Sequence, residues 1–537
     1  PAWELQRSPG QPKAAWRVVM SFQRRPFLCA VTLAVQQCAN FAVAQMYEFK
    51  SSQIPGNRSL HTLHAFYVYS QDEAPVRSAD KLFVPFVKFS NFSASSTSKT
   101  RSQAELSNYR GVQLSIMRYK HFWDLIHPHK FCSTWDDVQQ GRAEYQDQLL
   151  VQKKHDQRFL DVDVYIHTIR FDTAPEDNGS QVQRTGVYIL VFSNCGDLNV
   201  NDAVVSGTVV VRNAYGFLPG NEYHKMPFYG WLSLVYVGLG VIWMGLSIRW
   251  WKELFNIQNC ISFVILFGLL EAFLWYIFLN DWNHRGTRAT FLFIFSLLLT
   301  VLKTTFSYML VLVASLGWGI TRPYLDHGVI LKIQVLCFFY IVLDFIRECV
   351  LALRHSHSLS IAFVLLCLLP VSLLNGGIFY WVFTALSSLM ETLKERCQSE
   401  KLILFQRLWH ILIIALGIAT FTLLFQIFNL SKDSISRWKY QWLLTDAVSH
   451  ALFLMVLAAM MYLWAPHKYS QRYAYSTQIG EQDLGNQPAD RPGSAVWADD
   501  DEDEEEKDSF WATTHQRDAD LPKGPVEVVG ASSSDKV

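Results

Sequence analysis

Residues 257–280 read IQNCISFVILFGLLEAFLWYIFLN, an apolar run broken by one acid, Glu271. A helix crossing a bilayer needs about 20 such residues at 1.5 Å rise per residue, and this run exceeds that. Working outward, comparable segments fall at roughly 226–248, 289–320, 328–352, 359–388, 402–428 and 441–464, separated by short polar loops. The pattern predicts seven membrane helices between Met226 and Trp464. Segments longer than the hydrocarbon thickness imply tilt or extension beyond it. The chain-wide figures, 50% hydrophobic and 18% charged over 537 residues, conceal this because a polar first half is averaged with a lipidic second half. A net charge of zero gives no reason to expect a nucleic-acid partner.

Upstream, Arg24-Arg25 precedes the apolar stretch Pro26–Val35 and then Ala42-Val43-Ala44. A basic region, an apolar core and an A-x-A ending form the pattern of a secretory signal peptide. On this reading Met20 is the start, residues 1–19 are a gene-model extension, and 20–44 are cleaved. A disordered or interfacial N-terminus is the bland alternative. The mature N-terminus would then be lumenal and the C-terminus cytosolic. Sequons at Asn57, Asn91 and Asn178 precede the first span, and one at Asn429 lies between spans six and seven, all on the lumenal side of that topology.

Residues 45–225 carry strand patterns. Leu160, Val162, Val164 and Ile166 alternate with polar groups and are expected to share the buried face of one strand. Gly186–Phe192 reads as a more buried strand and Val204–Val211 as a third. Short strands between turn residues indicate an antiparallel sandwich. Of nine cysteines, two would leave with the signal peptide and five lie in or near spans. Cys132 and Cys195 remain, and an oxidising compartment favours pairing them over leaving two thiols. Two cysteines with no nearby spaced histidine pair cannot close a zinc site.

Charges inside the spans are the chemical signal. Glu271, Lys303, Asp344, Glu348, Asp446 and His450 all fall within apolar segments. Each costs at least about 2.5 kcal/mol at a helix centre if charged, so such groups turn inward and pair. Glu271 and Lys303, on consecutive antiparallel spans, are the expected pair, either locking the bundle or forming a ligand or ion site. Asp446 and His450, four apart, share a helical face. His410 stands alone in span six and no span contains H-x-x-x-H, so no metal site, cofactor or enzyme activity is expected. Gly376-Gly377 and Pro370 predict a kink or close helix approach in span five. Arg249-Trp250-Trp251-Lys252 fits a headgroup anchor.

Several dispersed motifs occur together. They are Asn213-Ala214-Tyr215-Gly216-Phe217-Leu218-Pro219 before the first span, Leu270-Glu271, and Lys303 followed by Leu312–Gly319 and Arg322-Pro323. Trp464-Ala465-Pro466 with Gln471–Ser476, and Gly186–Cys195, complete the set. With these the chain resembles the lung seven-transmembrane receptor family, the GOLD-domain seven-transmembrane proteins, and within it the Golgi transmembrane-protein-eighty-seven group with its plant and fungal relatives. Tyr308 departs from the basic residue usual after the lysine of span three. The resemblance implies a seven-transmembrane α-helical bundle (226–466) preceded by a lumenal all-β GOLD-like sandwich (45–225). It implies a multi-pass Golgi membrane protein acting in secretory or endosome-to-Golgi trafficking, as receptor or chaperone for lumenal or membrane cargo. A cation channel is the alternative. A G-protein-coupled receptor fits less well, since span three lacks an acid–Arg–aromatic triplet.

The last segment, 467–537, turns polar, with nine acids and one lysine over Asp499–Asp508. It reads as a disordered cytosolic tail. Trp497, Phe510 and Trp511, set among acids, are candidate contacts for a coat or sorting adaptor; a plain solubilising tail is the alternative.

Overall fold

The computed structural model describes residues 46–54, 59–76, 83–96, 112–126, 130–151, 164–169, 176–195, 203–254, 256–321, 325–354, 361–396, 398–430 and 437–466. The signal-peptide reading, the sequon at Asn57, Arg322-Pro323 and the tail with Trp497, Phe510 and Trp511 lie outside them.

Eight strands form the first region: β1 (Met46–Ile54), β2 (Ser59–Val68), β3 (Phe86–Ser96), β4 (Val112–Arg118), β5 (Val164–Ile169), β6 (Glu176–Gln181), β7 (Gly186–Asn194) and β8 (Ala203–Arg212). They build two antiparallel sheets, ordered β1-β8-β3-β6 and β2-β7-β4-β5. Inward side chains of both sheets meet in one core, where the rings of Phe49 and Phe192 lie 5.4 Å apart edge-on and Phe89 packs against Phe92. Each such buried side chain contributes roughly 1.5–3 kcal/mol.

The second sheet is covered on both faces. Met117, Ile189 and Val191 point away from the sandwich core and pack with Phe122, Ile126 and Leu149. That explains the unbroken burial of β7, whose side chains have apolar company on either side. It also corrects the phase expected for β5. His167 and Ile169 face the sandwich core, and Ile166 is exposed. Val164 joins the cluster on the outer face. Alternation shows two faces but does not tell which is the interior when both are covered. His167 is accepted inside because its ring stacks 6.2 Å from Phe89.

Cys132 is bonded to Cys195 at the end of β7, across 63 residues. The staple holds segment 130–151, whose helix Trp135–Gln139 starts at Thr134. Asp137 is fully buried there. It accepts from the Thr134 amide at 3.0 Å, the Thr134 hydroxyl at 2.7 Å and Lys130 at 2.9 Å.

The second region contains seven helices long and apolar enough to cross a membrane. These are α1 (Lys225–Arg249), α2 (Asn256–Arg285), α3 (Thr290–Ser315), α4 (His327–Arg354), α5 (Ile361–Glu395), α6 (Ser399–Leu430) and α7 (Trp438–Leu463). α5 runs through Pro370. Its 35 residues make it roughly 50 Å long, well beyond a hydrocarbon core. α6 extends to Leu430, so Asn429 sits in its last turn and not in the loop expected from the sequence. Of the kink or close approach expected at Gly376-Gly377, the close approach is not found: among the described residues nothing lies within 4 Å of a Cβ built at either. It occurs at Gly268 of α2, where the Tyr236 ring of α1 fills the space a Cβ would take. α7 contains a π-helical turn, Leu443–Ala447.

The lead-in Asn213–Pro219 joins the two regions. Asn213 Oδ1 accepts from the Tyr69 amide at 3.1 Å, and its Nδ2 donates to the Leu218 carbonyl at 2.9 Å. Asn283, near the end of α2, grips the same loop three ways. Its Nδ2 donates to the Tyr215 carbonyl, its Oδ1 accepts from the Leu218 amide, and its carbonyl accepts from the Phe217 amide. Gly216 adopts φ 141°, and a Cβ there would lie 2.5 Å from the Asn283 carbonyl oxygen, so this position requires glycine. Trp438 packs on Tyr69 at 4.9 Å, and Lys439 pairs with Glu73 at 3.0 Å.

Candidate functional site

The intramembrane charges separate into three clusters. In the first, Lys303 of α3 lies 2.5 Å from Glu271 of α2. On its other side it lies 3.4 Å from His450 Nδ1 of α7, while His450 Nε2 lies 3.4 Å from the Tyr229 hydroxyl of α1. Four helices thus meet at one polar chain. Aromatic rings close around it: Lys303 sits 4.7 Å from the Phe453 centroid, and Trp275 stacks on Tyr229 while donating to Thr300 at 3.0 Å. Both charges are almost fully buried. A pair in such surroundings holds only when each charge faces its partner closely.

The second cluster centres on Lys225, which the sequence reading left just outside the first span. Its ammonium bridges Glu222 at 3.1 Å and Asp446 at 3.2 Å. Asp446 therefore belongs with Lys225, and His450 with Lys303, although the two are four residues apart. The π-helical turn immediately before Val448 contains Asp446. In the third cluster Arg347, another residue the sequence reading omitted, faces Asp344 at 2.9 Å and Glu348 at 2.6 Å on its own helix. The rule that a buried acid needs a nearby cation would have found both cations from their spacing.

All three clusters border one cavity of about 1260 Å³, which reaches from Tyr47 and Tyr67 of the sandwich down to Met460 of α7. Every helix contributes to its wall. Drug-sized ligands occupy about 300–1,000 Å³, so the space suits a longer molecule or a chain segment. Leu416 and Leu423 of α6 line the cavity and are exposed. Arg288, in the turn between α2 and α3, lines the sandwich end with its guanidinium 4.1 Å from the Trp282 ring. Among the described residues no group of three or more His, Cys, Asp and Glu side chains could hold a metal ion.

The remaining predicted sites lie on the sandwich. Asn91 is exposed at φ 55°, its amide donating to Asp177 at 3.0 Å. Asn178 is exposed, with its Nδ2 3.2 Å from His167 Nδ1 and its Oδ1 accepting from the Gly179 amide at 2.7 Å.

Residues 224–471 match the family model described as GOST, seven transmembrane domain. The chain is 30% identical to Transmembrane protein 87A of Xenopus tropicalis over 57% of its own length and 55% of that protein's. It is 31% identical to the Homo sapiens protein of the same name, over 52% and 50% of the two chains. Against Membrane protein PTM1 of Saccharomyces cerevisiae (strain YJM789) it is 25% identical, over 56% and 58%. The chain thus spans about half the length of the curated relatives it matches. The helical half of this protein is thus similar to the GOST seven-transmembrane domain, and the relatives it matches are the Transmembrane protein 87 and PTM1 membrane proteins.

Proposed function

We propose that this protein is a non-catalytic cargo receptor or chaperone of the Golgi membrane, acting in secretory or endosome-to-Golgi trafficking. The carrying observation is the cavity: the sandwich and all seven helices wall it together, and its α6 wall includes the exposed Leu416 and Leu423. Such a space takes a membrane-embedded or amphiphilic client from within the bilayer, while the sandwich, on the lumenal side, senses that the cavity is filled. The tail then faces cytosolic coat or sorting adaptors. The test is a photo-crosslinking residue placed at position 416, on the cavity wall, compared with position 373, an exposed position of α5. Client adducts are expected at 416 and not at 373, and they should vanish when Ala419→Trp fills the cavity. Equal labelling at both positions would refute the reading.

Cation conduction is the second reading, favoured by one observation: the Glu271–Lys303 pair borders the cavity. Reproducible currents from the purified, reconstituted protein that change with Glu271→Gln would put conduction ahead of cargo binding.

A further inference from the structure

Segment 130–151 is pinned from several directions. The Cys132–Cys195 bond ties it to the end of β7, and Leu149 packs with Met117 and Val191 on the outer face of the second sheet. The Ser133 amide donates to the Gln148 carbonyl at 2.9 Å, and its hydroxyl donates to the Tyr145 carbonyl at 2.8 Å. The Leu150 amide donates to the Phe131 carbonyl at 2.8 Å. Yet this firmly held segment turns two large aromatic side chains outward. Trp135, the first residue of its short helix, is 59% exposed, and Tyr145 is 46% exposed. Among the described residues of the sandwich, Trp135 is the most exposed large apolar side chain. Leaving a tryptophan in water forgoes one of the largest hydrophobic gains any residue offers. A tryptophan on a rigid loop also loses little entropy when a partner covers it.

The charge of the same stretch is lopsided. It carries four acids, Asp136, Asp137, Glu144 and Asp147, against two cations, Lys130 and Arg142. Both cations are turned to Asp137, at 2.9 and 3.5 Å, and Asp137 is fully buried. Asp136, next to Trp135, and Glu144, next to Tyr145, are exposed and join no ion pair among the described residues. The outward surface therefore presents an indole and a phenol flanked by unanswered negative charge. That combination suits a cationic side chain. A guanidinium can lie on the face of Trp135 while it donates to a carboxylate beside the ring. An acidic partner would be repelled by the same carboxylates.

We propose that Trp135, with Tyr145, Asp136 and Glu144, forms a docking surface for an arginine-bearing peptide segment of a partner protein. The surface is separate from the cavity, whose sandwich wall is made by Tyr47, Ala65, Phe66 and Tyr67. It stands whether or not the cavity holds a client. The disulfide and the Asp137 clamp serve it by presetting the loop, so that the ordering cost falls on folding and not on association.

The test uses the full chain, purified in a maltoside detergent, with an aromatic photo-crosslinking residue in place of Tyr145. The probe is a short biotinylated peptide of alternating arginine and serine; its counterpart has glutamate in place of arginine. Position 145 should capture the arginine peptide and not the glutamate peptide. Position 84, exposed just before β3 of the other sheet, should capture neither. The crosslink reports only on what reaches position 145, so arginine peptide held by acids elsewhere on the chain does not count. Trp135→Ala should lower capture roughly tenfold, and Trp135→Tyr should keep part of it. Asp136→Asn with Glu144→Gln should bring the arginine peptide down to the level of the glutamate peptide. These side chains are exposed, so each variant should unfold at the same temperature as the parent, which separates lost docking from lost folding. Equal capture of both peptides, capture of neither, or capture that Trp135→Ala leaves unchanged would refute the surface. Labelling of phosphatidylcholine at position 145 after reconstitution, without capture of the arginine peptide, would show a lipid-facing patch and also overturn the proposal.

Discussion

Asp137 in the sandwich and Glu271 in the bundle are both shut off from solvent, yet the two regions bury charge by different means. All the partners of Asp137 lie close in sequence: Thr134, Lys130 and Arg142. Its two cations are half exposed, with water on their other side. Glu271 has no such recourse, because a bilayer supplies no water. Its partner Lys303 comes from the next helix and is itself buried, and His450, 147 residues further on, stands behind it. The sandwich handles a buried charge as a local matter of loop geometry. The bundle must bring both signs inside, and in doing so it ties α2, α3 and α7 together.

Breaking the bundle's pair should therefore cost most. Lys303→Met leaves Glu271 buried with no cation beside it, and a loss of about 3–5 kcal/mol is expected in unfolding of the detergent-solubilised protein. The double change Glu271→Leu with Lys303→Met should recover most of that loss. A single variant as stable as the double would show that the pair carries no structural weight. In the sandwich the largest effect should come from the staple. Cys132→Ser with Cys195→Ser frees a 63-residue loop, and a loss of about 2–4 kcal/mol is expected from the sandwich transition alone. If the helical transition falls by the same amount, the two regions unfold as one unit and the contrast drawn above dissolves.

The Asp137 clamp makes a prediction about pH. Hydrogen bonds from Thr134 and Lys130 hold its carboxyl well below the usual range. A group whose native pKa is depressed adds stability that is complete above its unfolded value, about 3.9, and is lost as pH falls through the native one. The protection of amides in segment 130–151, corrected for the intrinsic pH dependence of exchange, should thus be unchanged between pH 7 and 5 and fall only below about pH 4. Loosening already at pH 5 to 6 would mean that another group governs the segment. The smallest effect is expected at the exposed Lys439–Glu73 pair. Glu73→Gln should change stability by less than about 1 kcal/mol, and a larger loss would mark that contact as a true joint between the regions.

The seven helices were legible because bilayer thickness imposes a length and polarity that soluble cores do not repeat. The strands β7 and β8 were legible for a related reason, their β-branched content between turn residues. The phase of β5 was not, because the outer face of its sheet is also covered, by Phe122 and Ile126. At the site, Glu271 and Lys303 could be read as partners from adjacent spans. Asp446 and His450 could not be separated, since a regular helical period places them on one face and no residue signals the π-helical turn. No pattern in the sequence marks Arg288 as a buried residue. Its burial depends on the sandwich and the bundle meeting, which no local pattern records.

The grip of Asn283 on the lead-in has a mechanical consequence. Covalently, the sandwich is attached to α1. Its firmest non-covalent hold, three hydrogen bonds to one asparagine, is on α2. A tilt of the sandwich is therefore transmitted along α2, the helix that carries Glu271, and the covalent neighbour acts as a tether. The load path from a contact on the sandwich to the buried charge is a single helix long.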